Sequence, residues 1–120
     1  MKILVTGGAG YIGSHACVEL IKAGHDVVVV DNLSNSSIES LRRVEELTNS
    51  NISFYEIDIR DKTLLIEVFK QHSIDGVVHF AGLKAVGEST KKPLNYYSSN
   101  FAGTCILVEV MSDFNCNTIV

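Results

Sequence analysis

Four consecutive valines, Val27-Val28-Val29-Val30, constrain this chain more than any other feature of it. Successive side chains of a β-strand point to opposite faces, so an unbroken apolar run is stable only where both faces of the sheet are covered. Ile3-Leu4-Val5 and Val77-Val78-His79-Phe80 repeat the pattern, whereas Ile52-Ser53-Phe54-Tyr55-Glu56-Ile57 alternates more and suits a strand nearer an edge. Stretches of helical period lie between these runs. Gly13, Ala16, Cys17, Leu20 and Ile21 share a stripe that Gly24 can stop. Ile38, Leu41, Val44 and Leu47 recur among Glu39, Arg43 and Glu46, which predicts a helix with one buried and one charged face. Asp61 can cap a helix carrying Leu64, Leu65, Val68 and Phe69 inward, and Pro93 suits the first turn of a helix bearing Tyr97, Phe101, Cys105 and Val108. Thr118-Ile119-Val120 begins a fifth strand. Strands alternating with helices predict an α/β fold, a doubly wound parallel sheet of strand order 3-2-1-4 with a truncated fifth strand that can leave strand four as an apolar edge.

Composition narrows the classes of partner. A chain that is 46% hydrophobic and 20% charged, with one proline, has the make-up of one compact domain and not of a disordered or collagen-like one. Acidic residues outnumber basic ones by 14 to 10, and the only basic doublets are Arg42-Arg43 and Lys91-Lys92, so no nucleic-acid partner is expected. No apolar stretch approaches the roughly 18 residues that span a bilayer, so no membrane partner is expected either. Cys17, Cys105 and Cys116 are an odd number without close pairing; they read as free thiols of a reducing compartment, the cytoplasm. Cys17 and Cys105 fall on apolar stripes and read as buried small hydrophobes. No metal site is expected.

The chemistry lies in the turns that follow the strands. Val5-Thr6-Gly7-Gly8-Ala9-Gly10-Tyr11-Ile12-Gly13 directly follows the first strand and opens the first helix, in the spacing Gly-x-x-Gly-x-x-Gly. Gly7 permits the tight turn, Gly10 lets a pyrophosphate approach the backbone, and Gly13 lets the helix pack close to the strand. The helix amino end offers N–H groups and partial positive charge to phosphates. Asp31 ends the second strand 18 residues after Gly13, where a carboxylate can accept hydrogen bonds from ribose hydroxyls and repel a 2′-phosphate. NAD is therefore favoured over NADP, and the alternative role for Asp31 is to cap the turn from Asn32 to Ser36. Asp58 and Ile59 end strand three, placed for the adenine amino group and ring face; Asp58 reads equally as a loop residue leading into a helix. Phe80-Ala81-Gly82-Leu83-Lys84 follows strand four beside the switch point of the sheet, where small residues let a dinucleotide lie against the backbone. A lone loop lysine such as Lys84 is otherwise most often solvated. His79 reads as a packed, hydrogen-bonded core histidine and not as a base, Tyr97 as core, and Asn100 as a polar residue facing the cofactor.

Together these motifs carry a resemblance. Thr6 to His15 (TGGAGYIGSH), Asp31-Asn32-Leu33-Ser34-Asn35-Ser36, Asp58-Ile59-Arg60, His79 to Ser89 (HFAGLKAVGES) and Lys92-Pro93-Leu94 with Tyr96-Tyr97 closely resemble the UDP-glucose 4-epimerases, a family of extended short-chain dehydrogenases/reductases with a Rossmann-like fold. The resemblance runs from Met1 to Val120, and the blocks DNLSNS and HFAGLKAVGES carry it beyond the superfamily-wide glycine turn. It implies a tightly held NAD that takes hydride from C4 of a UDP-hexose and returns it to the opposite face through a 4-keto intermediate, interconverting UDP-glucose and UDP-galactose in galactose metabolism. It also implies cofactor contacts at Tyr11, Ile12, Asp31, Asn32, Leu33, Ser34, Asn35, Ser36, Asp58, Ile59, Phe80, Ala81, Gly82, Leu83 and Lys84. A cofactor-site asparagine belongs near Ser99 and Asn100, of which Asn100 is the better match. A homodimer is implied for the full-length protein.

The same resemblance implies catalytic groups that the 120 residues do not contain. The family's Ser or Thr and its Tyr-x-x-x-Lys pair, the tyrosine as acid/base and the lysine lowering its pKa, belong beyond Val120; no Tyr-x-x-x-Lys occurs here. The expectation is therefore a partial NAD-binding domain, residues 1–120, from the amino-terminal part of an epimerase. The rest of that domain and the substrate domain lie outside it, and no catalytic residue or activity is expected of this piece alone. The alternatives are another NAD-dependent sugar-nucleotide epimerase or dehydratase, and a stand-alone dinucleotide-binding module.

Overall fold

The computed structural model describes residues 1–34, 36–81 and 93–120, with 93–100 as helix backbone only. The elements follow in the order β1 (Lys2–Thr6), α1 (Tyr11–Lys22), β2 (Asp26–Asp31), α2 (Ile38–Thr48), β3 (Ser53–Glu56), α3 (Lys62–Gln71), β4 (Gly76–His79) and α4 (Pro93–Asp113). The strands form one parallel sheet ordered β3-β2-β1-β4, the predicted Rossmann-like arrangement. Leu4 pairs with Val28 of β2 and Val77 of β4, which puts β1 in the middle. Beyond β4, Ile119 bridges Val77 in parallel, with the Val77 N–H donating to the Thr118 carbonyl at 2.9 Å and the Val120 N–H to the Val77 carbonyl at 3.0 Å. Residues 118–120 thus cover the edge of β4 that the sequence left bare, because the last residues run alongside it in register.

The apolar runs are divided by parity. Leu4, Val28, Val30 and Val77 face a core completed by Leu65, Val68 and Phe69 of α3 and Leu107, Val110 and Met111 of α4. Ile3, Val5, Val27 and Val29 face the other core, with Cys17 of α1 and Leu41 and Val44 of α2. Burial pushes the Cys17 thiol up to about 12, so it behaves as a small hydrophobe. β3 is the less buried edge strand its alternation implied.

The helix ends follow their local chemistry. α1 stops at Gly24, where the Gly24 N–H donates to the Ile21 carbonyl and the His25 N–H to the Leu20 carbonyl. Asp61 caps α3 by accepting from the Leu64 N–H at 3.2 Å, and Pro93 opens α4. Three stripes differ from expectation. In α2 only Leu41 and Val44 are buried, while Ile38 and Leu47 are exposed, Leu47 at 72%. A repeat of three falls short of the 3.6-residue turn, so residues nine apart end on opposite sides. In α3 Leu64 lies outside the buried arc of Leu65, Val68 and Phe69. In α4 the core takes Gly103, Leu107, Val110 and Met111, leaving Phe101, Cys105 and Val108 exposed on the opposite side. That helix is apolar on two faces, and its period does not say which one the sheet will choose.

A Cβ built on Gly13 would lie 2.2 Å from the Gly7 carbonyl oxygen and 2.9 Å from the Gly8 Cα, both backbone. The close approach is thus to the turn itself. An exposed helical glycine gains about 1 kcal/mol when replaced by alanine. Here the overlap outweighs that gain: Gly13→Ala is expected to lower unfolding free energy by about 2 kcal/mol, read from urea titrations against the parent protein.

Candidate nucleotide-binding site

The carboxyl ends of β1, β2 and β3 and the amino end of α1 meet at one edge of the sheet. Gly7 turns the chain out of β1 with φ +71°, a left-handed conformation that glycine adopts without strain. Its N–H donates to the Val30 carbonyl of β2 at 2.8 Å, and the Gly10 N–H closes the turn on the Gly7 carbonyl at 3.1 Å. α1 then begins with Gly10 as a cap that has no side chain to accept from the helix, and with no acidic residue in its first turn. Its first N–H groups and the positive end of its dipole stay available to an anion. Among the described residues, a Cβ on Gly10 would meet only the Gly7 carbonyl, at 3.3 Å. Tyr11, 82% exposed, and Ile12 flank the turn.

Asp31 ties the second strand to this turn. The carboxylate is 8% exposed; its Oδ2 accepts from the Ala9 N–H at 3.0 Å, and its Oδ1 from the Leu33 N–H at 2.8 Å and the Ser36 hydroxyl at 3.1 Å. Asp31 thus performs the capping role, organising its own loop, and it also bonds the glycine turn through the Ala9 N–H. A carboxylate can accept about four hydrogen bonds, so capacity for a ribose hydroxyl remains. Leu33 reaches Asp31 with φ +58°, an uncommon conformation for leucine, and the Ser34 N–H donates to the Asn32 side chain.

Ser40, which sequence reasoning missed, completes the hold. From the first turn of α2 its hydroxyl lies 2.6 Å from the Ala9 carbonyl and 2.8 Å from the Ser37 carbonyl, and its one proton is shared between them with the shorter contact to Ala9. Ala9 is thus pinned through its N–H by Asp31 and through its carbonyl by Ser40. No local signal joins positions 31 residues apart. Thr6 was missed too: its hydroxyl accepts from the Ala81 N–H at 3.2 Å. Gly7 lies so close to the segment leaving β4 that a Cβ there would stand 2.8 Å from the Ala81 nitrogen. Phe80 and Ala81 are in this way brought to the glycine turn. His79 is hydrogen-bonded to Thr6 and Thr104, as expected, but is only partly buried at the end of β4.

At the end of β3, Asp58 is paired with Arg60 through Nε and Nη2 at 2.7–3.2 Å. Ile59 packs into the core against Gly103 of α4. Asn35, Gly82, Leu83 and Lys84 lie outside the described residues, as do the side chains of Tyr97, Ser99 and Asn100. Among the described residues no group of His, Cys, Asp and Glu is arranged to hold a metal ion.

The Arg60 guanidinium beside Asp58 holds its carboxyl below the ordinary value of 3.8, chiefly through the side-chain hydrogen bond. A depressed folded-state pKa adds stability above the unfolded value, and that contribution is lost as pH falls through the folded value. Arg60→Leu is expected to return the Asp58 titration toward 3.8 in a carboxyl NMR experiment; an unchanged titration would contradict the pairing.

The sequence matches a family model described as GDP-mannose 4,6 dehydratase over residues 4–120. It is 56% identical over 120 residues to a UDP-glucose 4-epimerase of Bacillus subtilis and 54% identical to one of Erwinia amylovora, covering all of this chain and 35% and 36% of those proteins. The crystal structure of UDP-glucose 4-epimerase from Bifidobacterium longum, in complex with NAD+ and UDP, superposes with a TM-score of 0.97 at 48% identity, over 99% of this chain and 36% of that one. The chain therefore spans about a third of the length of the relatives it matches. With the parallel sheet, the glycine turn and the match over residues 4–120 in agreement, this chain belongs to the GDP-mannose 4,6 dehydratase family.

Proposed function

We propose that this chain is the NAD-holding, amino-terminal part of a UDP-glucose 4-epimerase. The observation that carries the reading is the Asp31 carboxylate, buried beside an uncapped helix amino end and bonded to the glycine turn. That arrangement fits a dinucleotide: the free N–H groups of Tyr11, Ile12 and Gly13 meet the pyrophosphate, and Asp31 meets the ribose hydroxyls of the adenosine half. The first-turn residues carry no negative charge that would oppose a phosphate. Asp58, Phe80 and Ala81 extend the cradle along the same edge, and Lys84 and Asn100 are proposed contacts further along the cofactor. NAD, when bound, supplies a hydride acceptor and donor for C4 of the sugar. The chain's own residues orient the cofactor and hold its adenosine end; the acid/base chemistry of the sugar belongs to groups it does not contain. Residues 1–120 are thus one part of the cofactor domain.

High identity to the epimerases supports UDP-glucose and UDP-galactose as the substrate pair of the intact protein. The family description favours a second reading, a sugar-nucleotide dehydratase. We further propose a homodimer acting in the cytoplasm in galactose metabolism, without nucleic-acid or membrane partners; no helix among the described residues is long and apolar enough to cross a membrane.

The intact protein is expected to convert UDP-galactose to UDP-glucose without added reductant, followed by chromatography of the nucleotide sugars. Turnover of UDP-N-acetylglucosamine or dTDP-glucose with no conversion of UDP-galactose would assign it elsewhere. Asp31→Asn keeps one oxygen for the Ala9 N–H but removes the charge. It is expected to weaken NAD binding about tenfold and to narrow the preference over NADP, both read by titration of cofactor-stripped protein.

A further inference from the structure

A polar chain crosses the same end of the sheet, separate from the Asp31 system. Thr6, fully buried at the end of β1, accepts at Oγ1 from the Ala81 N–H and lies 2.5 Å from Nδ1 of His79, the last residue of β4. Nε2 of His79 is 3.0 Å from the Thr104 hydroxyl of α4. A hydroxyl has one proton and two lone pairs, and an amide N–H can only donate. Ala81 therefore takes one lone pair of Thr6, and the Thr6 proton finds an acceptor in this chain only where Nδ1 of His79 carries no proton. A neutral imidazole accepting at Nδ1 carries its proton on Nε2, where it donates to Thr104. The bonds run in one direction from Ala81 through Thr6 and His79 to Thr104, and each polarises the next. A proton on Nδ1 would leave the buried Thr6 proton without a place in this chain.

This order decides where the segment leaving β4 sits. The Phe80 N–H donates to the Thr6 carbonyl at 2.9 Å and the Ala81 N–H to its hydroxyl, so two successive peptides hang on one residue. Gly7 leaves no slack between that segment and the glycine turn. The rotamer of Thr6 is in turn held by His79, and the ring of His79 by α4.

We propose that His79 is a positioning residue for the dinucleotide, keeping Phe80 and Ala81 seated against the glycine turn by fixing the Thr6 hydroxyl. The proposal deepens, and rests on, the reading of this edge as an NAD site. Its test uses the intact protein, stripped of cofactor and titrated with NAD at a temperature where circular dichroism shows each variant folded. His79→Phe keeps a ring but no acceptor and is expected to bind NAD about tenfold more weakly; His79→Asn, whose amide oxygen can take the place of Nδ1, stays within about threefold of the parent. Unchanged affinity in His79→Phe, or equal loss in both variants, would overturn the proposal. Two-bond 15N–1H spectra of the parent read the network without variants or NAD. They are expected to show a neutral Nε2–H ring, and an Nδ1–H ring or an imidazolium would overturn the proposal even if a variant failed to fold. A parent protein that binds no NAD, with the expected tautomer present, refutes the NAD reading first and the positioning role with it, and is distinguishable from a variant effect.

Discussion

Everything at the nucleotide edge depends on a sheet that is apolar on both faces. Leu4, Val28 and Val30 require cover from one side and Ile3, Val5, Val27 and Val29 from the other, and burial of each such side chain contributes about 1.5–3 kcal/mol. Parallel strands cannot be joined by tight hairpins, so each connection crosses over a face as a helix. The two requirements have one solution, helices α1 and α2 on one side and α3 and α4 on the other. The consequence is functional: every strand ends at the same edge, and the turns leaving them converge there.

At that edge the backbone is held by the protein's own hydrogen bonds. Ala9 is fixed at both its N–H and its carbonyl, Leu33 is kept in a left-handed conformation beside Asp31, and Phe80 and Ala81 hang from Thr6. A preorganised turn loses less conformational entropy on binding than a mobile one, so more of the gross attraction for a ligand appears as affinity. The strain at Leu33 is tolerated because Asp31 bonds the same peptide, a common trade where a loop must present a fixed surface.

The motifs were legible because each is short-range chemistry. Gly7 needs a positive φ, Gly13 needs the absence of a Cβ, and Asp61 needs only the next turn of its own helix. Strand parity was legible for the same reason, since alternation is a property of one strand. Illegible were Ser40 and Thr6, whose partners are 31 and 75 residues away, and the phase of α4. Cys105 and Leu107 sit on opposite sides of one apolar helix, and only the sheet beneath it chose between them.

The sequence by itself determined that the chain forms a parallel, doubly covered sheet with a tight glycine turn after its first strand. Those features follow from side-chain period, glycine geometry and charge, which act over a few residues. Only the tertiary structure decided that Asp31 grips Ala9, that Ser40 grips it from the other side, and that His79 joins β1 to α4 through two threonines. Hydrogen bonds between distant residues have no local signature; they come into existence when the sheet closes its ladder and brings donors and acceptors at its end within hydrogen-bonding distance.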